Sequence, residues 1–331
     1  MAEPVNGNNS VLLFAREGTG ATTGAQWGDM PTAPVPHKLL CLAGAGTVAD
    51  VSWIKNMQIA SDPNPRDSRL GRQKAAGSYD FYPNIKSAAW LHEFILGVRA
   101  AATGVSPFIS VSKLSSGKLP SLSIEMSLDY AAGTKYSQSH GNRIDKTTIE
   151  TAPDGNLTYK SSVIAKYVPP ETAVAMTGSV VDWSEEDFFD HMQMTVLKID
   201  GVDFLEAATA TIEIAHNHFV DHYVAMGGGM LRSLPRRQAT VAGTVTNILE
   251  SDTLAAIAAS GDYVPFEQEW TNGVNSINWL LPRIKFKPTS PKQADGPISL
   301  AYAYEASKDA TAGTSVLATT NTALADAVLD A

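Results

Sequence analysis

Residues Ser121-Leu122-Ser123-Ile124-Glu125-Met126-Ser127-Leu128-Asp129-Tyr130 alternate between polar and apolar for ten positions. An extended chain points successive side chains to opposite faces. Leu122, Ile124, Met126, Leu128 and Tyr130 therefore share one face, and Ser121, Ser123, Glu125, Ser127 and Asp129 the other, which predicts a long half-buried strand. The same period recurs where Ile284 and Phe286 alternate with Arg283, Lys285 and Lys287, and again at Ile298, Leu300, Tyr302 and Tyr304. Residues 159–167 and 192–199 are further expected strands. Helical signals are few and short. Residues 87–96 open on Ser87 as a cap and stop at Gly97, and 252–260 open on Asp252 and stop at Gly261. A third helical turn is expected at 184–189, where Ser184 stands three before Asp187. The chain thus reads as mainly β with short helices.

Composition narrows the function classes. The 331 residues suffice for one large or two ordinary domains. With 44% hydrophobic and 18% charged residues the chain can bury a substantial core. A net charge of −9 argues against an electrostatic grip on nucleic acid, which needs clustered Lys and Arg, and is compatible with a surface that repels it. Cys41 is the single cysteine, so neither an intrachain disulfide nor a thiolate zinc site can form. In Leu39-Leu40-Cys41-Leu42 it reads as a small buried apolar residue. The first ten residues lack the pattern of a secretory signal, and no apolar run reaches the ~20 residues of a membrane span. The expectation is a protein made, and at first kept, in a cytoplasm.

Residues 1–36, rich in Gly, Asn, Thr and Pro, read as an N-terminal arm that a partner orders. Residues 307–331, Ala- and Thr-rich without bulky aromatics, read as a C-terminal arm or a weak helix. Between them lies an internal repeat. Leu70-Gly71-Arg72 is echoed by Leu234-Pro235-Arg236, and Ala76-Gly77-Ser78 by Ala242-Gly243-Thr244. The helix stop at Gly97 is echoed at Gly261. Gln58-Ile59-Ala60 loosely matches Glu213-Ile214-Ala215. The order strand, basic loop, Gly-opened strand, helix, strand occurs twice, which suggests two β domains, 37–168 and 169–306.

With these segments in view, the chain resembles the tail tube proteins of long-tailed, siphovirus-like bacteriophages in their larger, two-domain form. The likeness rests on Gly77-Ser78-Tyr79-Asp80-Phe81-Tyr82-Pro83 with the helix after it, and on Lys118-Leu119-Pro120 leading into the strand at 122. It continues at Gly229-Met230-Leu231-Arg232, at Ile277-Asn278-Trp279-Leu280-Leu281-Pro282, and at Gly296-Pro297 leading into the last alternating run, with Asn321 in the polar segment beyond. It spans about 40–322 and lies in the order of segments, since none of them is a chemical signature. The resemblance implies tandem tail-tube-type β-sandwich or barrel domains, each with a short flanking α-helix. It implies a structural virion protein, not an enzyme: a major tail tube subunit that self-assembles into stacked sixfold or pseudo-sixfold rings around a channel for DNA. Two domains per chain would make the ring a homotrimer. The partners implied are further copies of the chain, a tape-measure protein, and terminator and tail-tip proteins. DNA would pass through without specific binding, and no cofactor is implied. Residues 1–36, 131–146 and 307–331 are the expected inter-ring contacts.

Other chemistry was weighed on the residues. His216-Asn217-His218 on a strand would point two imidazoles one way, with Asp221 or His222 as a third ligand and His191 near by. That set would suit a metal-dependent hydrolase; a polar loop or a subunit contact is the plain alternative. Gly227-Gly228-Gly229 lacks the Gly-Lys-Ser/Thr ending of a phosphate loop and reads as a hinge. The basic clusters Arg66, Arg69, Arg72, Lys74 and Arg232, Arg236, Arg237 suit interface carboxylates better than nucleic acid. Asp182, Glu185, Glu186, Asp187, Asp190, Asp200, Asp203 and Glu206 form either a solvated acidic surface or a lumen wall. Trp53, Trp90, Trp183, Trp270 and Trp279 lack a sugar platform's spacing and read as core or interface. A carbohydrate- or receptor-binding virion protein remains the second rival.

Overall fold

The computed structural model describes residues 11–17, 27–29, 34–42, 44–54, 69–104, 107–130, 133–151, 155–184, 187–220, 231–248, 252–289 and 299–322. In chain order the elements are β1 (Leu12–Arg16), β2 (His37–Lys38), β3 (Gly46–Ile54), β4 (Arg69–Phe81), α1 (Ser87–Leu96), β5 (Gly97–Arg99), β6 (Phe108–Leu114), β7 (Leu122–Tyr130), β8 (Gly133–Thr151) and β9 (Leu157–Ala165). They continue as β10 (Val181–Asp182), β11 (Met194–Ile199), β12 (Val202–Asp203), β13 (Ala207–Ala215), β14 (Thr240–Ile248), α2 (Thr253–Ser260), β15 (Val264–Asn272), β16 (Asn275–Phe286), β17 (Ser299–Ala306) and β18 (Leu317–Thr322). The protein is mainly β, as the alternating patterns require.

Two long strands organise the sheets. The first part of β8 pairs with β7. Past a backbone bend at Gly141, where φ is +70°, and an irregularity between Ile144 and Lys146, β8 pairs with β9 on one side and β13 on the other. β16 does likewise: it pairs with β15 and β18, and its last residues, Ile284 to Phe286, join β17. One sheet therefore runs β3–β4–β9–β8–β13–β14–β17–β16 across both halves of the chain, every neighbour antiparallel. A second runs β10–β2–β1–β7–β8 and a third β12–β11–β15–β16–β18–β6–β5.

The pairing pattern of the first half recurs in the second. β1 pairs β7 as β11 pairs β15, β3 pairs β4 as β13 pairs β14, and β4 pairs β9 as β14 pairs β17. The shared strands β8 and β16 then close both patterns. Gly77 and Gly243 anchor the correspondence. A Cβ on Gly77 would lie 2.2 Å from the Gly46 carbonyl oxygen, and one on Gly243 2.1 Å from that of Thr211. At the same point of both patterns, then, only hydrogen fits against the neighbouring strand.

α1 is bounded as its sequence predicts, but its cap differs. Asn84 Oδ1 accepts the N–H groups of Lys86 (3.0 Å) and Ser87 (2.7 Å), while Ser87 Oγ accepts that of Asn84 (3.1 Å). Asn84 caps and Ser87 is the reciprocal member of the pair. Gly97, left-handed at φ +97°, ends the helix with its N–H on the Glu93 carbonyl. Every residue of α1 except Glu93 is buried, as befits a helix enclosed on all sides. α2 buries only Leu254 and Ala258 and lies on the surface. The helical turn expected at 184–189 is not formed by its described residues. Ser184 instead bonds to Asp182, and the reciprocal cap appears at Asp190 and Gln193, opening a 3-10 turn at His191–Gln193. Neither helix is long enough to cross a membrane.

Among the described residues the larger of two apolar clusters crosses residues 168 and 169. Phe14, Tyr79, Trp90 and Phe94 belong to the same buried cluster as Trp270, Trp279, Tyr302 and Tyr304. The Trp279 indole donates to the Tyr159 hydroxyl (3.0 Å), which shares a 2.8 Å bond with His92 Nε2. Trp90, Trp183, Trp270 and Trp279 are all buried; Trp53 lies on β3, its side chain outside the described ones. Cys41 is half-buried, and burial, then the Asp80 charge, push its thiol pKa far up, leaving it inert.

Candidate functional site

The sheet that spans both halves has one face on the core and one in solvent. Tyr79, Tyr159, Ile149, Ile212, Ile214, Val245, Tyr302 and Phe286 point inward and are buried. The opposite face is built of short polar and small side chains: Ser78 on β4, Ser162 on β9, Thr148 on β8, Thr211 on β13, Thr244 on β14 and Ala303 on β17. Three ion pairs lie within this face, Lys146 with Glu213 (2.7 Å), Lys160 with Glu150, and Lys287 with Glu305, and Lys74 of β4 is exposed on it. Such pairs add little stability at this exposure, but each offsets one positive charge on the face.

The histidines have other partners than a metal. His216, fully buried, sets Nε2 2.7 Å from the Ile95 carbonyl oxygen, and burial lowers its pKa to about 4. Nε2 therefore carries the proton and donates. His218 Nδ1 lies 2.9 Å from Asp145 Oδ1, which also accepts the His218 backbone N–H. Burial raises the Asp145 pKa, but these bonds outweigh it and hold the carboxyl below its ordinary value. Asp145 sits at the irregularity of β8, so His216-Asn217-His218 ties β8 to the end of α1. Asn217, at φ +52°, bonds the Gln238 carbonyl and Thr240. Among the described residues no group of three His, Cys, Asp or Glu could hold a metal ion. Asp221, His222 and Gly227–Gly229 lie outside the described residues.

The charged clusters are also placed. Arg69, Arg72 and Lys74 belong to β4, a strand where a loop was expected; Arg66 lies outside the described residues. Arg236 donates to the Ser115 carbonyl, and Arg237 stacks 5.1 Å over the Phe219 ring, so among the described residues neither is seen to meet the expected carboxylate. Of the acidic stretch, Asp182 meets Lys38 (2.8 Å), Asp190 caps the 3-10 turn and Asp203 faces Lys198 (3.9 Å). Burial raises the Asp182 pKa but is outweighed by Lys38 and Ser184, which bring it down to about 2. None of these acids lies on the spanning sheet; Glu185 and Glu186 lie outside the described residues.

A family model described as phage tail tube protein matches residues 7–325. The chain belongs to the phage tail tube protein family. Membership makes it a structural component of the virion tail. No curated protein matches the chain.

For a tail tube protein the segments expected to make inter-ring contacts matter most, and much of them is already ordered by the chain itself. β1, inside residues 1–36, pairs with β7 and β2 and buries Phe14. Next to it the buried Glu17 carboxylate accepts from Gly28 N (3.0 Å), Gly141 N (2.5 Å), Ser121 Oγ (2.6 Å) and Ser123 Oγ (2.9 Å). Residues 133–146 are strand, not loop. Alternation is weak in residues 133–138 because that part of β8 projects with β7 as a hairpin exposed on both faces. In the segment 307–331, β18 lies between β16 and β6 with Ala318 fully buried. Near β11 and β12 the tail tube protein exposes large apolar side chains, Leu205 at 92% and Met192 at 78%. Apolar exposure of this kind suits contact with another protein.

Proposed function

We propose that this chain is the major tail tube subunit of a siphovirus-like phage, with two tail-tube modules in one polypeptide. Three copies complete a pseudo-sixfold ring, and rings stack head to tail into a hollow tube. The uncovered polar face of the spanning sheet lines the bore. That face carries the reading. It offers DNA short hydroxyl and methyl groups and, among the described residues, three acid–base pairs that offset one another, so phosphates meet little unopposed positive charge. The wall works by geometry and lack of adhesion, with no reaction. The recurring strand order supports two modules, and the exposed apolar corner at β11 and β12 supports contact between copies. Assembly takes place in the host cytoplasm around a tape-measure protein, with terminator and tail-tip proteins at the ends.

Electron microscopy of the concentrated protein, alone and with tail tips, tests this. Hollow filaments with a regular axial repeat are expected. Absence of tubes even when tips are supplied would sink the proposal.

A further inference from the structure

We infer that the outer edge of β3 is the ring-closing surface, and that it receives residues 285–289 of a second copy of this chain. The inference rests on the tube proposal and names the contact within it.

The two halves already meet strand to strand within the spanning sheet. β8 pairs along the outer edge of β13, with Lys146 facing Ala215, Thr148 facing Glu213 and Glu150 facing Thr211. β13 corresponds to β3. Gly243 faces Ile212 as Gly77 faces Thr47, so Ile212 matches Thr47, Glu213 matches Val48 and Ala215 matches Asp50. Yet among the described residues β3 pairs only with β4, and its other edge carries no strand. Val48 on that edge is 73% exposed, which is unusual for a valine in a strand.

The missing occupant can be read in the same way. Gly77 faces Val163 and Val163 faces Ile144; Gly243 faces Tyr304 and Tyr304 faces Phe286. Ile144 therefore matches Phe286. Past it, Lys146 faces Ser162, and the Lys287 N–H meets the Ala303 carbonyl at 2.8 Å. Lys287 thus stands where Lys146 does, and Thr289 where Thr148 does. Among the described residues the first half has no strand on the outer edge of β3, and the second half has an equivalent of β8 with nothing on its far side. The two vacancies are complementary in direction and register. They lie at opposite ends of an eight-strand order, about 34 Å apart along the sheet at the usual ~4.8 Å strand spacing, and within the chain they do not pair, so a second copy is the natural occupant.

Transposing the β8–β13 register places Lys287 opposite Asp50 and Thr289 opposite Val48 of the next copy. The opposite charges repeat the sign of the Lys146–Glu213 pair at the internal junction, with Lys287 shared between that Asp50 and Glu305 of its own chain. Because the Lys287 N–H points to β17, position 288 faces β3, and Pro288 has no N–H to give. The contact between copies has one donor fewer than its internal counterpart, which keeps free chains from pairing indiscriminately.

The test is a cysteine pair, Val48→Cys with Thr289→Cys, in a Cys41→Ser background. Mild oxidation of assembled tubes is expected to give covalent dimers and trimers in denaturing gels, with the ladder ending at three. Either cysteine alone, or Val48→Cys with Ala301→Cys, is expected to give none. Regular tubes without the link would overturn this contact and leave the tube proposal standing. Failure of the unsubstituted chain to form tubes with tips present would remove both. Charge reversal gives a second readout. Asp50→Lys and Lys287→Glu singly are expected to reduce tube yield at least tenfold, and together to restore it. If the double variant folds, by circular dichroism, but assembles no better than either single, the contact is refuted.

Discussion

His92 and His216 are buried and held neutral, with pKa values lowered by burial to about 3 and about 4. In the unfolded chain both titrate near the ordinary value of ~6.5. Between about pH 6.5 and 4 the unfolded state therefore binds protons that the folded state refuses, and stability falls as pH falls. The slope approaches about 1.4 kcal/mol per pH unit for each histidine. Urea midpoints measured at pH 7, 6 and 5 are expected to decline steadily. In His216→Gln, which keeps a donor for the Ile95 carbonyl, the decline is expected to be shallower by about one proton's share. Parallel curves for the two proteins would show that His216 is not the buried neutral base described above. The pair was visible in the sequence as His216-Asn217-His218. Its partners, Asp145 and the Ile95 carbonyl, were not, because 71 or more residues separate them from it along the chain.

At the scale of elements, the repeated glycine makes a paired prediction. Gly77→Ala and Gly243→Ala each put a methyl group against a backbone oxygen of the neighbouring strand. Carbonyls in a sheet cannot yield as a side-chain tip can, so each substitution is expected to cost about 1–3 kcal/mol in urea unfolding. Gly46→Ala, whose Cβ would meet nothing within 4 Å, is expected to be neutral or mildly stabilising. Equal losses at 77 and 243 with none at 46 would mark them as the same structural position used twice. This repeat was legible in the sequence because glycine has few substitutes at a close approach. β17 was legible because one face is buried and the other is not. β7 was legible from its alternating sequence, but it is not half-buried: Leu122 to Glu125 are buried on both faces, the polar one because Ser121 and Ser123 bond the buried Glu17 carboxylate, and the far end is exposed. The start of β8 was not: with both faces in solvent or hydrogen-bonded, Gly133 to Gln138 carry no period. β18 was hidden for the opposite reason. Its buried positions are filled by Ala318, Thr320 and Thr322, residues too small to stand out in a hydropathy pattern.

That strand decides the last question, which belongs to the whole molecule. Read as composition, residues 307–331 are an arm whose removal leaves the folded body alone. In the structure, β18 is the strand through which β16 of the second half reaches β6 of the first, five residues paired on one side and six on the other. Removing it would open two edges at once and uncover the core beside Val316 and Trp279, both fully buried. A chain ending at Ala306 is therefore expected to lose ~5 kcal/mol or more, comparable with the net stability of an ordinary domain. It would aggregate through the bared edges of β6 and β16. Thermal unfolding and gel filtration check this directly. A truncated chain that melts at the full-length temperature and elutes as the full-length species does would mean that the two halves hold together without β18. The terminal segment would then be free to act between rings, as its composition alone suggests. If the truncated chain collapses as expected, contacts between rings must be sought elsewhere: at the β7–β8 hairpin and at the apolar corner of Met192 and Leu205, which the folded chain leaves uncovered.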